Sequence, residues 1–497
     1  MTSYLFPRPH NPFIVFTFVE STLFPVTDID RGIVGWDGQD DPRNPQNFSP
    51  ARKWALLVLI SFITFLTPLA SSMLSPAVGY MGKDFGVRNE TLLSFTVSIY
   101  LLGYVFGPLF LAPLSEVYGR RVVVSSSNWF FVLWQIGCAL APNIACLTVF
   151  RLFTGVGGAG CLTLGAGVIS DLFPIEKRAL ATSIWSVGPT VGPVVGPICG
   201  GFIGQQVGWR WVFWVLLIAG GATALAMEFL NRETYAPVLI QRKTTRLAQK
   251  LNRPDLQSAY ELQRGEKTSI SRALKQGFRR PAVLLSKSPI IDLLAIYMAL
   301  VYALLYLFLT TITTVFITIY GFSTQLSGLA YLGIGIGFFI GLAGVALTND
   351  KVAVKLASRN GGNFQPEMRL PALICYSCIL PISFFWYGWT ADQHVHWIVP
   401  IVGMLPFGIG AVGIYLLILT YAIDCYPEYA ASANATLTAA RSLLGALLPL
   451  AGPKLFGNLG LGWGNSLLGF LALAFVPVPI IFTKYGKLIR EKYPVKL

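Results

Sequence analysis

Charge and histidine are what this sequence has least of. Asp, Glu, Lys and Arg together make up 12% of its 497 residues, and there are 3 histidines. A soluble chain of this size needs a charged surface. With 54% hydrophobic residues, a soluble globular fold is excluded and a multi-spanning membrane protein is implied. The scarcity of titratable groups also argues against an enzyme, because the apolar runs contain no His/Asp/Glu constellation and no nucleophile beside a base. His394 and His396, two residues apart at a helix end, are badly spaced for a metal and read as interfacial. The 7 cysteines lie mostly within apolar runs without paired spacing, which excludes a zinc ribbon or a disulfide framework and leaves them as small buried residues. Strict polar/apolar alternation is missing too, so a membrane β-barrel is excluded.

What is present is a series of apolar runs, each about 20 residues long, the length needed to cross about 30 Å of hydrocarbon as a helix. They fall at 54–77, 92–112, 122–141, 145–169, 179–203, 211–230, 291–320, 326–347, 371–389, 397–421, 433–450 and 463–482. The fold class is therefore an all-α integral membrane protein with 12 transmembrane helices. The formal charge of +14 is a topology signal rather than a nucleic-acid footprint. Of 37 Lys and Arg, 31 fall on one side of these runs, which places both termini in the cytoplasm. On that topology Asn89, in Asn89-Glu90-Thr91, lies outside and is a candidate glycosylation site.

The organisation that follows is an N-terminal cytoplasmic segment (1–52), a six-helix bundle (53–230), a central cytoplasmic loop (231–290), a second six-helix bundle (291–483) and a tail (484–497). A short apolar patch from Phe13 is too short to span and lacks a signal peptide's cleavage site. It reads as a surface-lying or disordered segment, and residues 35–49 read as a polar lead-in. The central loop has 13 basic and 4 acidic residues and no apparent domain. It either touches anionic lipid or is simply solvated. Six helices, a break and six more is the pattern of a transporter whose two bundles surround a central path.

Three stretches stand out within the runs. Ser186 to Gly201 repeats a Gly-Pro pair every four residues without a charge, placing Gly188, Gly192, Gly196 and Gly200 on one face while Pro189, Pro193 and Pro197 each remove a backbone donor. Such a helix is bent and closely packed, as a packing device or as part of a mechanism. Glu116 precedes a turn glycine, Gly119, and then Arg120 and Arg121, and it either latches neighbouring helices or marks a plain turn with snorkelling arginines. Arg151 is a lone guanidinium in an apolar run, a placement costing about 2.5 to 3.5 kcal/mol at mid-helix and pointing to function or pairing, with snorkelling the alternative. Tyr100, Tyr104, Gln135, Tyr297, Tyr302, Tyr306 and Arg441 are candidate cavity residues facing an amphipathic substrate, although tyrosines in membrane helices also serve packing.

Glu116 with Gly119-Arg120-Arg121, Arg151 with Gly155 and Gly157, and the Gly-Pro ladder resemble, in order and placement, three signature motifs of the major facilitator superfamily. Trp36-Asp37-Gly38, Ala440-Arg441-Ser442 and Gly208-Trp209-Arg210-Trp211 resemble its fungal twelve-spanner drug/proton antiporters. The resemblance covers about residues 35–490 and implies a monomeric exporter of drugs, toxins or secondary metabolites that works by alternating access in exchange for protons. It implies small-molecule, proton and lipid partners, no cofactor beyond the proton gradient, no metal and no nucleic acid. The plasma membrane is expected, or the vacuolar membrane. A polyamine exporter, an uptake carrier of the same fold and a transporter-like nutrient sensor are the alternatives. The resemblance further implies that Glu116, Gly119, Arg120 and Arg121 form a conformational latch, that Arg151 and Asp171 serve proton coupling, and that the ladder is an antiporter motif. Two departures bear on this: Ala112 and Glu116 replace the glycine and aspartate of the latch pattern, and the first helix has no acid. The ladder glycines are expected to seal against a helix of the other bundle.

Overall fold

A computed structural model describes residues 24–264, 270–361, 364–426 and 430–493, so the apolar patch at Phe13 lies outside the described residues. Among these, 11 helical stretches are long and apolar enough to cross a membrane. The first ten correspond one to one with the first ten expected runs. The last, Ser432–Lys492, is 61 residues long, and at 1.5 Å per residue it would be about three times too long for a single crossing. It is two crossings. Gly460 has φ 70° and ψ 176°, which no helix tolerates. Beyond it the chain folds back until a Cβ on Gly464 would lie 2.7 Å from the Phe456 ring. The Gly462 N–H donates to the Asp392 carboxylate at 3.2 Å, which fastens the reversal. The described residues thus make twelve crossings, numbered first to twelfth below.

Local signals set several ends. Asn143 and Ser288 cap the fourth helix (Ile144–Leu172) and the seventh (Pro289–Thr318) by accepting from the N–H groups of Cys146 and Ile291. The second helix (Tyr100–Tyr118) and the third (Arg120–Ala139) meet at Gly119, whose φ of 99° only glycine adopts readily.

The helices pack as a repeat. In the first bundle the first lies on the fifth, the second on the fourth, and the third on the fourth and sixth. In the second bundle the seventh lies on the eleventh, the eighth on the tenth, and the ninth on the tenth and twelfth. The two equivalent pairs cross at glycines: a Cβ on Gly103 would overlap the backbone of Gly155, and one on Gly337 would lie 2.9 Å from the Cα of Gly408. Small residues allow this close approach in lipid, where dispersion and backbone proximity replace the hydrophobic effect. Between the bundles, the Ser71 and Tyr306 hydroxyls share a hydrogen bond of 2.6 Å, and Ser98 donates to the Ala446 carbonyl at 2.8 Å.

Residues 24–49 and the central segment form more than a lead-in and a plain loop. Ile33–Val34 pairs in parallel with Gln257–Ser258. Val34 and Trp36 are buried against Ile240 and Leu256, with helix Ala236–Leu251 as the main wall. The Trp36 indole donates to the Tyr260 hydroxyl at 3.2 Å, and Lys243 bridges Asp37 (2.5 Å) and the Gly35 carbonyl (2.8 Å). These apolar residues are single and far apart in sequence, so no periodicity announces them. A further helix, Ile270–Lys287, touches both bundles. Its Gly277 and Phe278 lie on Pro113 and Phe110 of the second helix, and it also packs on the eleventh (Ala430–Leu447). The cysteines are also more varied than expected: Cys138, Cys161 and Cys425 are buried, Cys146 and Cys199 half-buried, and Cys375 and Cys378 exposed on the ninth helix.

Candidate transport cavity

The fifth helix (Ile175–Gln206) stays helical through three internal prolines because its two faces meet different surroundings. Its glycines lie on the first helix (Pro50–Ser72) in register. A Cβ on Gly188, Gly192 or Gly196 would come within 2.7–2.9 Å of the carbonyl oxygens of Ser61, Phe65 and Leu69, and one on Gly200 would overlap the Met73 carbonyl. Four glycines at four-residue spacing thus face four carbonyls at four-residue spacing, and the two parallel helices touch backbone to backbone. The partner is in the same bundle, not across the interface as expected. Contact with the other bundle comes from its own glycine, Gly328, where a Cβ would lie 2.8 Å from the Pro197 carbonyl oxygen, and from Gly201, where one would lie 2.7 Å from the Thr324 carbonyl oxygen.

Each proline follows its glycine about 100° round the helix, and Pro189 and Pro193 thereby reach a cavity between the bundles, about 700 Å³ together with the open space at its mouth. Missing N–H groups at 189 and 193 leave the carbonyls of Trp185 and Pro189 without their helical donors. Of the expected cavity residues, Tyr104, Tyr302 and Arg441 line it. Tyr100 and Tyr306 stand directly behind, with rings 5.3 Å from Tyr104 and 5.1 Å from Tyr302. Tyr297 and Gln135 are elsewhere: Tyr297 donates to Ser377 at 2.8 Å and stacks on Phe475, and Gln135 is buried in the third helix. Sequence reasoning missed Thr190, Met298 and Tyr415. Tyr415, a polar-tipped ring in mid-helix, carried the same signal that singled out Tyr302. A wider cleft, about 1660 Å³ with its mouth, opens on the face away from the clasp, between Ser75, Glu90, Thr314 and Phe456.

The two intramembrane arginines behave differently. Arg151 is buried and donates to the carbonyls of Ser71 (3.0 Å) and Val97 (3.1 Å), pinning the first and second helices, with Tyr100 and Phe213 rings beside its guanidinium. Through Ser71 it is one residue from the hydrogen bond to Tyr306. Arg441 lies between the rings of Tyr302 (4.7 Å) and Tyr415 (4.9 Å). Among the described residues, no carboxylate lines the cavity. Asp171, paired with Arg151 for proton coupling in the sequence reading, sits twenty residues further along the same helix, about 30 Å away.

Asp171 belongs instead to the turn at Gly119. Arg120 lies 3.6 Å from Asp171 and stacks on the Tyr235 ring at 4.7 Å, while Arg121 faces Glu228 at 4.0 Å. The acid that holds the turn is Glu233, whose carboxylate accepts from the N–H groups of Arg120 (2.8 Å), Thr234 and Tyr235 (3.0 Å each) and packs on Gly119. Glu116 is exposed and makes no ion pair among the described residues, because its position on the second helix turns it away from this cluster. The second bundle has its own version: Arg369 pairs with Asp424 at 2.6 Å, and Arg490 with Glu367 at 3.3 Å. Asn89 is exposed and caps a helix, its side-chain oxygen accepting from the Leu92 N–H. No group of three or more His, Cys, Asp and Glu among the described residues is arranged to hold a metal.

Comparison with known proteins agrees with this arrangement. Residues 60–449 match the family model of the Major Facilitator Superfamily. The MFS transporter cpaT of Aspergillus oryzae is 47% identical, with 93% of each chain covered. The efflux pump radE of Floropilus chiversii is 41% identical over 94% of this chain and 87% of its own. Among solved structures, the partially occluded inward-open xylose transporter XylE from E. coli superimposes with a TM-score of 0.65 at 17% identity, covering 88% of this chain and 98% of that one, which speaks for the fold.

Proposed function

The chain belongs to the major facilitator superfamily, as a membrane transporter of small molecules and not an enzyme, and we propose that it exports small organic compounds, secondary metabolites or toxins, in exchange for protons. The observation that carries this reading is the cavity between the bundles, apolar with a few tyrosines and one arginine, which suits an amphipathic organic molecule. Export as the direction is supported by the Gly-Pro ladder and by relatives such as radE, whose name is that of an efflux pump. Alternating access would rock the two bundles about the central cavity.

Several finer readings stand with this proposal. The basic clasp faces the cytoplasm with both termini, the membrane is the plasma membrane, the working unit is a monomer in contact with lipid, and Asn89 carries a glycan on the outside. Proton exchange requires a carboxylate that gains and loses a proton in each cycle. Asp171 beside Arg120 and Asp424 beside Arg369 are the paired acids that a rocking movement would reach. The deciding measurement is efflux from cells expressing the protein, with and without a proton uncoupler. Uncoupler-sensitive efflux is expected; efflux unchanged by uncoupling would end the proton reading, and no efflux at all would favour a sensor.

A further inference from the structure

Arg151 and Arg441 are both guanidinium groups inside the membrane without a carboxylate beside them among the described residues, yet only Arg151 hydrogen-bonds to the protein. Arg151 spends two of its donors on backbone carbonyls. Arg441 makes no hydrogen bond or ion pair to any described residue, and its Nε, like that of Arg151, is buried without a partner. Tyr302 and Tyr415 lie against its guanidinium, and the side chain lines the cavity, with no protein acceptor for its donors among the described residues. A cation held out of water without a counter-charge is costly, and a planar fork of donors is the geometry that a carboxylate or similar oxyanion matches bidentately.

We propose that this cavity takes an amphipathic organic anion, whose carboxylate or enolate docks on Arg441 and whose planar apolar body lies against Met298, Leu305, Phe338 and the ring faces of Pro189 and Pro193. The inference rests on reading the cavity as the transport site. Tyr104 lines the same cavity from the second helix, in the other bundle. The absence of any acid from the lining among the described residues works in the same direction, since no carboxylate there repels an anion or pairs with a cation. A polyamine, several cationic nitrogens on a thin methylene chain with no anionic group, is the wrong cargo for such a wall.

The test uses three probes sharing one aromatic body: 1-pyrenebutyrate, neutral 1-pyrenebutanol and cationic 1-pyrenemethylamine, titrated by fluorescence into the purified full-length protein. The wild type is expected to bind the butyrate at least tenfold more tightly than the alcohol and to bind the amine most weakly. Arg441→Gln is expected to abolish the preference while changing affinity for the alcohol less than twofold, and Arg441→Lys to keep part of it. Equal binding of acid and alcohol by the wild type, preference for the amine, or a preference that survives in Arg441→Gln would each overturn the proposal. The wild-type ratio decides even if Arg441→Gln does not fold. Efflux from loaded vesicles is read separately. Anion preference in binding without efflux keeps the anion site and ends the export reading; efflux favouring the amine keeps export and ends the anion site.

Discussion

The first and fifth helices occupy the place in one bundle that the seventh and eleventh occupy in the other, but the two seams are built from different material. In the first bundle, ladder glycines meet main-chain carbonyls in register from Ser61 to Met73. In the second, a Cβ on Gly445 would meet the ring of Tyr302 and the side chain of Leu101, and one on Gly452 a methyl of Leu307. A backbone-to-backbone seam has one geometry, because carbonyls cannot change rotamer. A side-chain seam can repack. The eleventh helix, moreover, gives way to a 3-10 turn at Leu448–Ala451 beside Pro449, whereas the fifth runs unbroken through three prolines. The comparison predicts that the first bundle is the stiffer body and that any repacking around a cargo would fall to the second, where Tyr302, Tyr415 and Arg441 are found.

The largest effects should come from the stiff seam. Gly192→Leu or Gly196→Leu places a branched side chain where no rotamer escapes main-chain atoms, so loss of folded protein and of transport is expected, beyond the about 1–3 kcal/mol of ordinary overpacking. Gly445→Ala should be tolerated with a smaller fall in thermal midpoint in detergent. Equal damage at both seams would break the comparison. Next come the arginines. Arg151→Met strands the Ser71 and Val97 carbonyls, and a loss of about 1–3 kcal/mol for unpaired buried acceptors predicts lower thermal stability together with lost transport. Arg441→Met removes a side chain with no protein hydrogen bond, so stability should hold while binding fails; melting curves beside binding isotherms separate the two.

The duplicated ion pairs should matter less and alike. Asp171→Asn and Asp424→Asn each weaken a partly buried pair, and about 1 kcal/mol apiece is the expected order for such contacts. A much larger effect on transport at only one of them, with unchanged melting, would single out the proton-carrying half. Glu116→Gln should be the mildest change, within about 0.5 kcal/mol of the parent for an exposed, unpaired side chain. Transport lost at unchanged stability would mean that Glu116 pairs at another stage of the cycle.

The legibility of this molecule follows from the range of the interactions involved. Burial in lipid acts on every residue of a helix at once, so twelve apolar runs, a basic side and two sets of six could be read directly from the chain. So could the turn at Gly119, where a positive φ admits glycine, and the close packing of the Gly-Pro helix, where a missing Cβ and a missing N–H are local facts. What the ladder packs against was not local: the register with Ser61, Phe65, Leu69 and Met73 exists only when two helices lie side by side, and it placed the seal inside one bundle. The clasp was hidden for the same reason, its apolar residues being few and more than two hundred positions apart. Glu233 could not be told from any other loop acid until the Gly119 turn came to rest on it. Arginine at 151 and at 441 looked equivalent in sequence, two costly charges in apolar runs. Only the tertiary structure decided that one is satisfied by carbonyls and the other faces a cavity, because a hydrogen bond depends on a neighbour within about 3 Å and sequence order does not specify that neighbour.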